Sequence, residues 1–415
     1  MKRAASPIPP SDMPLAVVLL WVGLATPVPE PGVLVDARVR NIFSSWRTQF
    51  EKSYSSGNEE KAALQKFAAN EARVRAHNAG NHAYKLGLNQ FSDLTQEEFS
   101  NRYATGLLGP THPTKPACGP PPNVTHGPTP QSVDWAKAGK VTSVKDQKEC
   151  GGCWAFAVSA VTESAYAIAN DLSNNELVSL SAQDLLDCDF VDYGCSGGWP
   201  QFGMKFVHDK GLCSWDDYPF TGKSAPTCQT SCKPVVSVQS CQNLPVNDEE
   251  ALLKFVAQRP IYVGVAASDP NFHNYKSGVL TDCGKRRDHA VTIVGYGHDD
   301  ESGLDYWKIK NSWGDWWGEN GYIRIQRGID LCGVSGDTAW VSGAEIAPPR
   351  SPAPPPSPPP APPSPPRPPV GPGYERYGDP KIGCLPDEVR VVPAVASYCL
   401  HGATVNAGRA TSLYC

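Results

Sequence analysis

Residues 147–156 read Gln-Lys-Glu-Cys-Gly-Gly-Cys-Trp-Ala-Phe and lead into an Ala-rich run with the apolar spacing of a helix over 153–170. Cys153 would lie in the first turn of that helix, where the positive end of the helix dipole favours a thiolate over a thiol. Such a cysteine suits a nucleophile. Taken alone, however, the stretch favours two other interpretations: Cys150 and Cys153 as structural half-cystines, or as a redox-active or zinc-binding Cys-x-x-Cys pair.

The sequence around this stretch divides into a helical half and a β half. A second helix is expected over 181–187, where Ser181 can cap the N-terminus. After Pro260 the pattern changes to β-branched and aromatic runs typical of strands, at 261–266, 290–296, 306–310 and 322–326. A helical half beside a β half predicts a cleft between them, where active sites commonly lie.

Two residues of the β half complete a catalytic set. His289 begins the strand run at 289–291, and Asn311 heads Asn-Ser-Trp-Gly at 311–314. A Cys-Trp pair with His and Asn far downstream resembles the papain family of cysteine proteases. Further blocks match that family in order: Val-Asp-Trp at 133–135, Leu-Leu-Asp-Cys at 185–188, Gly-Cys-Ser-Gly-Gly at 194–198 and Gly-Glu-Asn-Gly-Tyr at 318–322. The resemblance covers nearly all of residues 130–340.

The resemblance implies a role for each member of the set. Cys153 would attack the scissile carbonyl as a thiolate paired with protonated His289, which later gives its proton to the leaving amine. Asn311 would orient the imidazole, and the Gln147 amide would stabilise the oxyanion together with the Cys153 backbone N–H. Trp313 is implied to shield the His–Asn pair from water, although a large aromatic side chain is also an ordinary core residue.

The chain departs from the family at two positions beside the nucleophile. Lys148 stands where relatives usually have Gly, after the oxyanion glutamine, and Gly152 stands where they have Ser. If Lys148 has to adopt a positive φ, the strain would be of order 1 kcal/mol. The loop geometry is therefore less securely implied than the catalytic residues.

Motif matching also implies a pocket for the second substrate residue before the cut. Asp337 would form its base, where a carboxylate should attract Arg or Lys while the apolar walls still admit Leu or Phe. The alternative is that Asp337 is a solvated loop carboxylate. The residues implied to bind substrate are Gly197, Gly198, Trp199, Pro200, Gly264, Asp288, Ala290, Trp313 and Asp337.

Ten cysteines lie between 150 and 332, so nine remain once Cys153 is set aside. The family pattern implies the bridges Cys150–Cys195, Cys188 with either Cys228 or Cys232, and Cys283–Cys332. Cys213, Cys241 and the remaining member of the 228/232 pair stay unassigned. One more bridge among these three would leave a free thiol or a cysteine that is bonded elsewhere.

Residues 36–103 are polar with helical spacing and resemble the helical pro-region of cathepsin L-like enzymes. Ala63 stands where that pattern has Arg. The implied role is inhibition: we expect the segment to lie across the cleft and to loosen when its carboxylates are protonated, so that acid triggers its removal. The matching residues are Glu59, Phe67, Asn70, Val74, Asn78, Gly87, Asn89, Phe91 and Asp93.

Composition favours the secretory pathway, with lysosome, vacuole or the extracellular space as the destination. Fourteen cysteines suit an oxidising compartment, and Lys2 and Arg3 before the apolar run at 15–24 are typical of a signal peptide, or alternatively of a signal anchor. Asn123 heads a glycosylation sequon. The net charge of −5, without a basic block, argues against nucleic acid as a partner, and no other run reaches membrane-spanning length.

The predicted organisation has five parts: a signal peptide over 1–25, an inhibitory pro-region over 26–129, a peptidase domain over 130–346, a Pro-rich linker over 347–373 and a Cys-containing C-terminal extension over 374–415. The Pro-rich stretch 107–130 is expected to be an exposed connector with a maturation cut near its end. The fold class is predicted to be α+β, a papain-like two-lobe fold with a helical left lobe, a β-barrel-like right lobe and a helical pro-region. The extension has either a binding or targeting role or none.

The function implied is that of a cysteine endopeptidase made as an inactive precursor. Residues 200–218 hold no insertion long enough for the cleft-blocking loop of cathepsin B, which favours cutting within chains. The implied partners are polypeptide substrates, the chain's own pro-region and cystatin-type inhibitors, with no cofactor and no metal. Two alternatives remain: an acyltransferase or peptide ligase on the same scaffold, and a binding protein whose enzyme domain is inert.

Overall fold

The computed structural model describes residues 35–107, 118–122 and 128–347. The predicted signal peptide, the sequon at Asn123, the Pro-rich linker from residue 348 onward and the C-terminal extension lie outside these ranges. Among the described helices, none has the length and apolar character needed to cross a bilayer.

The N-terminal part of the described chain is a small helical body with its own aromatic cluster. The rings of Phe43 and Trp46 lie 5.2 and 5.0 Å from the ring of Phe67, which is fully buried. Ser56 and Thr95 cap the two helices that follow them by accepting backbone N–H groups. The elements of this body are α1 (Ala37–Gln49), α2 (Gly57–Asn78), β1 (Tyr84–Leu86) and α3 (Gln96–Tyr103).

The rest of the chain continues with a helical stretch and then a run of strands. The helical stretch and its first strands are β2 (Val133–Asp134), α4 (Cys153–Ala169), α5 (Ala182–Cys188), α6 (Pro200–Lys210), β3 (Leu212–Cys213), β4 (Pro234–Ser237) and β5 (Ser240–Asn243). The remaining elements are α7 (Glu249–Val256), β6 (Ile261–Val265), α8 (Pro270–His273), β7 (Tyr275–Leu280), β8 (His289–Asp299), β9 (Leu304–Lys310), β10 (Tyr322–Gln326), β11 (Thr338–Ser342) and β12 (Glu345–Ile346).

Two hydrophobic cores give the two lobes. One is built on α4, α5 and α6, with Trp154 and Met204 fully buried. The other is built on the strands, with Ile293, Trp307 and Ile323 fully buried. Each core excludes water from one lobe, and α4 packs its buried length against β8 of the other lobe.

The larger sheet has the strand order β1-β7-β10-β9-β8-β6-β11-β5, with β2 paired to β8, and the smaller sheet has the order β12-β4-β3. Over the described residues, the larger sheet does not close into a barrel. The predicted α+β two-lobe fold is confirmed. The main helix predicted for 153–170 ends one residue earlier, and the strand predicted for 322–326 is observed with the same bounds.

The helical body docks on the β lobe and adds a strand to it. Strand β1 pairs antiparallel with β7, and the Asn89 side-chain amide donates to the His273 carbonyl at 2.8 Å. The ring of Phe99 stacks on the buried His273 ring at 3.8 Å. The connector after this body differs from the expected exposed segment at two described positions, since Leu107 and Cys118 are each only 8% exposed. Both contact the peptidase core, which the Pro-rich composition did not predict.

Five disulfides join the described cysteines and leave Cys153 as the one free thiol among them. Cys188 pairs with Cys228, and of the cysteines left unassigned, Cys241 is bonded to Cys118 in the connector. The bridges are Cys118–Cys241, Cys150–Cys195, Cys188–Cys228, Cys213–Cys232 and Cys283–Cys332.

Candidate active site

Cys153 is the first residue of α4 and is completely buried. Its sulfur accepts a hydrogen bond from the Ala290 backbone N–H at 3.3 Å. Gly152 is the N-cap and offers no side-chain hydrogen bond to the helix. The candidate nucleophile therefore lies at a helix N-terminus, facing the start of the strand that carries His289.

His289 is the first residue of β8 and is also completely buried. Its Nε2 lies 2.8 Å from Asn311 Oδ1, which also accepts the Ser312 backbone N–H at 2.8 Å. An amide oxygen only accepts, so Nε2 carries a hydrogen and Nδ1 of a neutral ring is left as an acceptor. Nδ1 has no hydrogen-bond partner among the described residues.

Trp313 packs over the histidine and belongs to the core as well. Its ring centroid lies 4.7 Å from that of His289, at an interplanar angle of 30°. The indole is 1% exposed and also contacts Phe91 and Phe99 of the helical body. Trp313 is therefore a core residue that also contacts the His289 ring.

The Gln147 amide is buried and held in one orientation. Its Oε1 accepts the Ser312 hydroxyl at 2.6 Å, which directs Nε2 towards the Cys150 carbonyl at 2.9 Å and the Tyr103 carbonyl at 3.4 Å. Tyr103 belongs to the helical body, so a carbonyl of that body lies against the candidate oxyanion donor. Lys148, which stands where relatives usually have Gly, has a φ of +51°. This is the positive φ that strains a residue other than glycine.

Burial shifts the pKa values of both candidate catalytic groups towards their neutral forms. Loss of solvent raises the pKa of the Cys153 thiol to about 12. The same loss lowers the pKa of His289 to about 4, and the hydrogen bond to Asn311 opposes this only in part. With the cleft covered, a neutral thiol beside a neutral imidazole is the favoured state.

The cover over this site is the chain segment that follows α3. The Gly106 carbonyl accepts the Gly198 backbone N–H at 3.0 Å, and the Leu107 N–H donates to the Asp288 carbonyl at 3.3 Å. A methyl group added at Gly106 would lie 2.5 Å from the Cys153 sulfur, so only glycine fits above it. The segment therefore lies directly on the candidate nucleophile and pairs in parallel with Gly198.

Leu107 places its side chain in the predicted pocket. A Cβ at Gly264 would lie 2.9 Å from Leu107 Cδ2 and 3.5 Å from Asp337 Cβ. The Asp337 carboxylate is not simply solvated, because it accepts the Gln201 amide at 2.8 Å and the Tyr262 hydroxyl at 2.6 Å. Ala290 belongs to the same cluster of buried residues as Leu107 and Tyr262.

Arg287 is a pocket residue that the sequence analysis did not identify. Its Cδ lies 3.2 Å from the Cβ position of Gly264, and its guanidinium packs against Gly336, next to Asp337. Among the described residues, Arg287 forms no ion pair within 4 Å. No sequence motif contains Arg287. Its position two residues before His289 was the one sequence feature that could have suggested that it lies near the site.

Trp199 and Pro200, which motif matching implied to bind substrate, lie at the start of α6, where Trp199 is the N-cap and Pro200 the first residue. The Trp199 backbone N–H donates to Asp192 Oδ1 at 2.8 Å, and Gly197 has a φ of 111° that glycine adopts most readily. Burial raises the pKa of Asp192 to about 8, and the neighbouring charge of Asp189 adds to the shift. Asp192 therefore holds the backbone at Trp199.

Comparison with known proteins agrees with this geometry. The family model "Papain family cysteine protease" matches residues 129–341, and the model "Cathepsin propeptide inhibitor domain (I29)" matches residues 43–99. The chain is 39% identical over 313 residues to vignain of Ricinus communis, covering 72% of this chain and 84% of vignain. It is 40% identical over 306 residues to the senescence-specific cysteine protease SAG12 of Arabidopsis thaliana, covering 70% of this chain and 86% of that protein.

Among solved structures, the chain is similar to the proform of Amb a 11, a cysteine protease and major ragweed pollen allergen. The TM-score is 0.67 at 35% identity, covering 75% of this chain and 97% of that one. A recombinant stem bromelain precursor gives a TM-score of 0.66 at 34% identity, covering 74% of this chain and 99% of that one. With its own propeptide inhibitor domain in place over the cleft, this chain belongs to the papain family of cysteine proteases.

Proposed function

We propose that this chain is the precursor of a cysteine endopeptidase in which Cys153 is the nucleophile and His289 its proton partner. The observation that carries the proposal is the hydrogen bond from Ala290 N–H to the Cys153 sulfur, which brings the helix N-terminus against the strand that begins at His289. Asn311 holds the imidazole by its Nε2, so that Nδ1 is the nitrogen able to take the proton of the thiol.

The proton transfer is suppressed while the pro-region covers the cleft. Burial keeps the pKa of the thiol high and that of the imidazole low, as the neutral pair requires. Removal of Gly106 and Leu107 returns water to both groups and lowers the desolvation cost of the charged forms. The thiolate–imidazolium pair then becomes favourable, with the α4 dipole adding to the stability of the thiolate.

Two hydrogen-bond donors would stabilise the tetrahedral intermediate. The Ser312 hydroxyl fixes Gln147 Oε1, so the amide nitrogen faces the cleft, where the Tyr103 carbonyl occupies its remaining hydrogen-bonding direction. The Cys153 backbone N–H lies at the start of α4 and is the second donor. Loss of one such donor costs about 3–4 kcal/mol of barrier in other hydrolases.

Substrate selection rests on the pocket that Leu107 fills in the precursor. Its walls favour a branched apolar side chain at the second position before the cut, and Leu107 is such a side chain. Asp337 attracts a basic side chain there, but the guanidinium of Arg287 repels it. We therefore expect apolar residues to be preferred at this position, with Arg and Lys accepted less well than Asp337 alone would favour.

Acid removes the pro-region because its body depends on carboxylates. Glu71 is buried and lies 2.5 Å from Arg38, and Asp93 is buried and lies 3.0 Å from both Lys52 Nζ and the Tyr54 hydroxyl. A body held by such ion pairs would loosen when the carboxylates of the pro-region lose their charge in acid, and the covering segment would be released with it. Five disulfides also fit folding in the oxidising secretory pathway, with a lysosome, a vacuole or the extracellular space as the destination.

An epoxide inhibitor that alkylates cysteine thiolates tests the proposal. The acid-processed protein should gain one adduct, mapped to Cys153, and lose its peptide hydrolysis in proportion. The Cys153→Ser variant should gain no adduct and hydrolyse no peptide. Proteolysis by that variant at a rate near that of the unchanged protein would overturn the assignment.

A further inference from the structure

One disulfide crosses the boundary between the pro-region and the peptidase domain. Cys118 lies in the connector, before the proposed cut near residue 130, and Cys241 lies on β5 of the peptidase domain. The four other bridges join cysteines within 150–332. Cys118–Cys241 is therefore the described bridge that links the two parts of the precursor.

The backbone around Cys118 is bound to the same strand. Gly119 N–H donates to the Cys241 carbonyl at 2.9 Å, and Asn243 N–H donates to the Gly119 carbonyl at 2.9 Å. The Asn243 side-chain amide adds a bond of 3.2 Å to the Cys118 carbonyl. Strand β5 is the last strand of the larger sheet, and its neighbour there is β11. The connector pairs at Gly119 with the other edge of β5. Both sulfur-bearing residues are only 8% exposed.

The inhibitory contacts and this anchor lie on the same side of the proposed cut. Gly106 and Leu107 occupy the cleft and Cys118 follows them, all before residue 130. Hydrolysis near residue 130 adds water across one amide and leaves the sulfur–sulfur bond intact. The inhibitory segment then stays on the same molecule, where a short tether gives an effective concentration in the mM range.

We propose that the cut near residue 130 produces a two-chain, disulfide-linked molecule from which the inhibitory body is not yet free. Release follows by either of two reactions. A second hydrolysis between Leu107 and Cys118 leaves a peptide that contains Cys118 attached to the mature enzyme. Alternatively, a thiol reductant gives two electrons and two protons to the bridge, so that Cys118 and Cys241 become thiols and the reductant becomes a disulfide.

Burial of the bridge and an oxidising compartment both favour the hydrolytic route. The mature enzyme is then expected to retain the Cys118 peptide on the edge of β5. The inference rests on the proposed maturation cut and not on the proposed catalytic residues, because the covalent state can be read by mass whether or not the enzyme is active.

Mass measurement of the full chain after acid processing tests the inference. Processing is carried out without added thiol, free thiols are then alkylated, and masses are measured before and after reduction of disulfides. We expect reduction to release a smaller chain that contains Cys118 from a chain that begins near residue 130. Two results would overturn the inference: a peptidase whose N-terminus precedes Cys118 in one chain, or a Cys118 found alkylated without reduction.

A paired variant links the bridge to the timing of activity. In Cys118→Ser/Cys241→Ser, peptide hydrolysis should begin together with the cut near residue 130, whereas in the unchanged protein it should lag behind that cut. Cys213→Ser/Cys232→Ser removes a bridge within the peptidase domain and should keep the lag. Equal timing in the first variant and the unchanged protein contradicts the inference, and if either variant fails to fold, the mass measurement on the unchanged protein still decides.

Discussion

The pro-region body and the peptidase domain are stabilised by different interactions. The peptidase domain has two buried cores and four internal disulfides. Over the described residues 35–107, the pro-region has one small aromatic cluster, no internal disulfide and several ion pairs between its helices and loops. Acid weakens ion pairs of carboxylates but does not affect a disulfide or an apolar core directly. Under the proposed acid activation, this difference would let the pro-region unfold while the peptidase domain stays intact.

Aromatic rings of the pro-region and of the peptidase domain pack against one another where the two parts meet. Phe91 and Phe99 of the pro-region pack on Trp313, and Phe99 also stacks on His273. Burial lowers the pKa of His273 to about 3, so this ring stays neutral in mildly acidic solution. The acid response is therefore expected to arise inside the pro-region body and not at this contact.

Of the substitutions considered, Phe67→Ala is expected to change the stability of the pro-region, and with it the acid requirement for processing, the most. The ring is fully buried at the centre of the aromatic cluster, and its loss should cost about 3–5 kcal/mol of pro-region stability. An electrophoretic time course should show processing at neutral pH as fast as in acid. The processed variant must unfold at the same temperature as the unchanged enzyme, because no part of the peptidase domain was altered. Processing that still requires acid would contradict the account.

A smaller effect is expected from Asp93→Asn. The change removes the charge that Lys52 Nζ and the Tyr54 hydroxyl contact at 3.0 Å, at a cost of about 1–3 kcal/mol. The pH at which half the precursor is processed in a fixed time should rise. Glu97→Gln is the matched control, since Glu97 is exposed and forms no ion pair among the described residues. If both variants shifted the pH of half-processing equally, the cause would be the change in net charge and not the loss of the contacts of Asp93.

Arg287→Ala tests the pocket that the pro-region occupies. Removing the guanidinium should raise kcat/KM for substrates with Arg at the second position before the cut, relative to Leu, by about fivefold for an interaction near 1 kcal/mol. Arg286→Ala removes the same charge from an exposed neighbour and should leave the ratio unchanged. A ratio that does not respond to Arg287→Ala would exclude this residue from the pocket's selectivity.

The smallest effect concerns Glu98, whose carboxylate lies 2.7 Å from Lys66 Nζ. Burial raises the pKa of Glu98, but the hydrogen bonds from Lys66 and Thr95 outweigh it and leave the pKa lowered. A group with a lowered folded pKa stabilises the fold above its unfolded pKa and loses that effect as the pH falls through the folded value. Thermal unfolding of a Cys153→Ala precursor should therefore show a slightly steeper loss of stability in acid than the same precursor with Glu98→Gln. An identical pH dependence would remove Glu98 from the acid response.

The helices and strands that surround the site could be predicted because their patterns are local. The helix from Cys153 and the strand that begins at His289 follow from apolar spacing, and the order of motifs identified the family. Asn70 and Asn78 belong to the pro-region pattern read from the sequence. In the structure, each side chain binds the backbone of the strand–loop segment that follows α2.

Contacts between segments far apart in the sequence could not be predicted, because no local pattern indicates them. Cys118 and Cys241 are 123 residues apart, and the Pro-rich composition around Cys118 suggested exposure and not pairing. Leu107 belongs to no recognisable motif, yet in the fold it lies beside Gly264. Arg287 enters the pocket only because β6 and β8 are paired, which brings Gly264 and Ala290 together. Register of this kind depends on the packed sheet and cannot be read from one strand.

The pH dependence of Cys153 alkylation, in the precursor and in the processed enzyme, tests the central claim most directly. A thiolate stabilised by His289 should react with iodoacetamide well below the ordinary thiol pKa of about 8.5 in the processed enzyme, while in the precursor the covered thiol should react slowly at every pH at which the pro-region stays folded. If the processed enzyme reacts at Cys153 only as an ordinary thiol does, or if precursor and enzyme give the same profile, the account is contradicted.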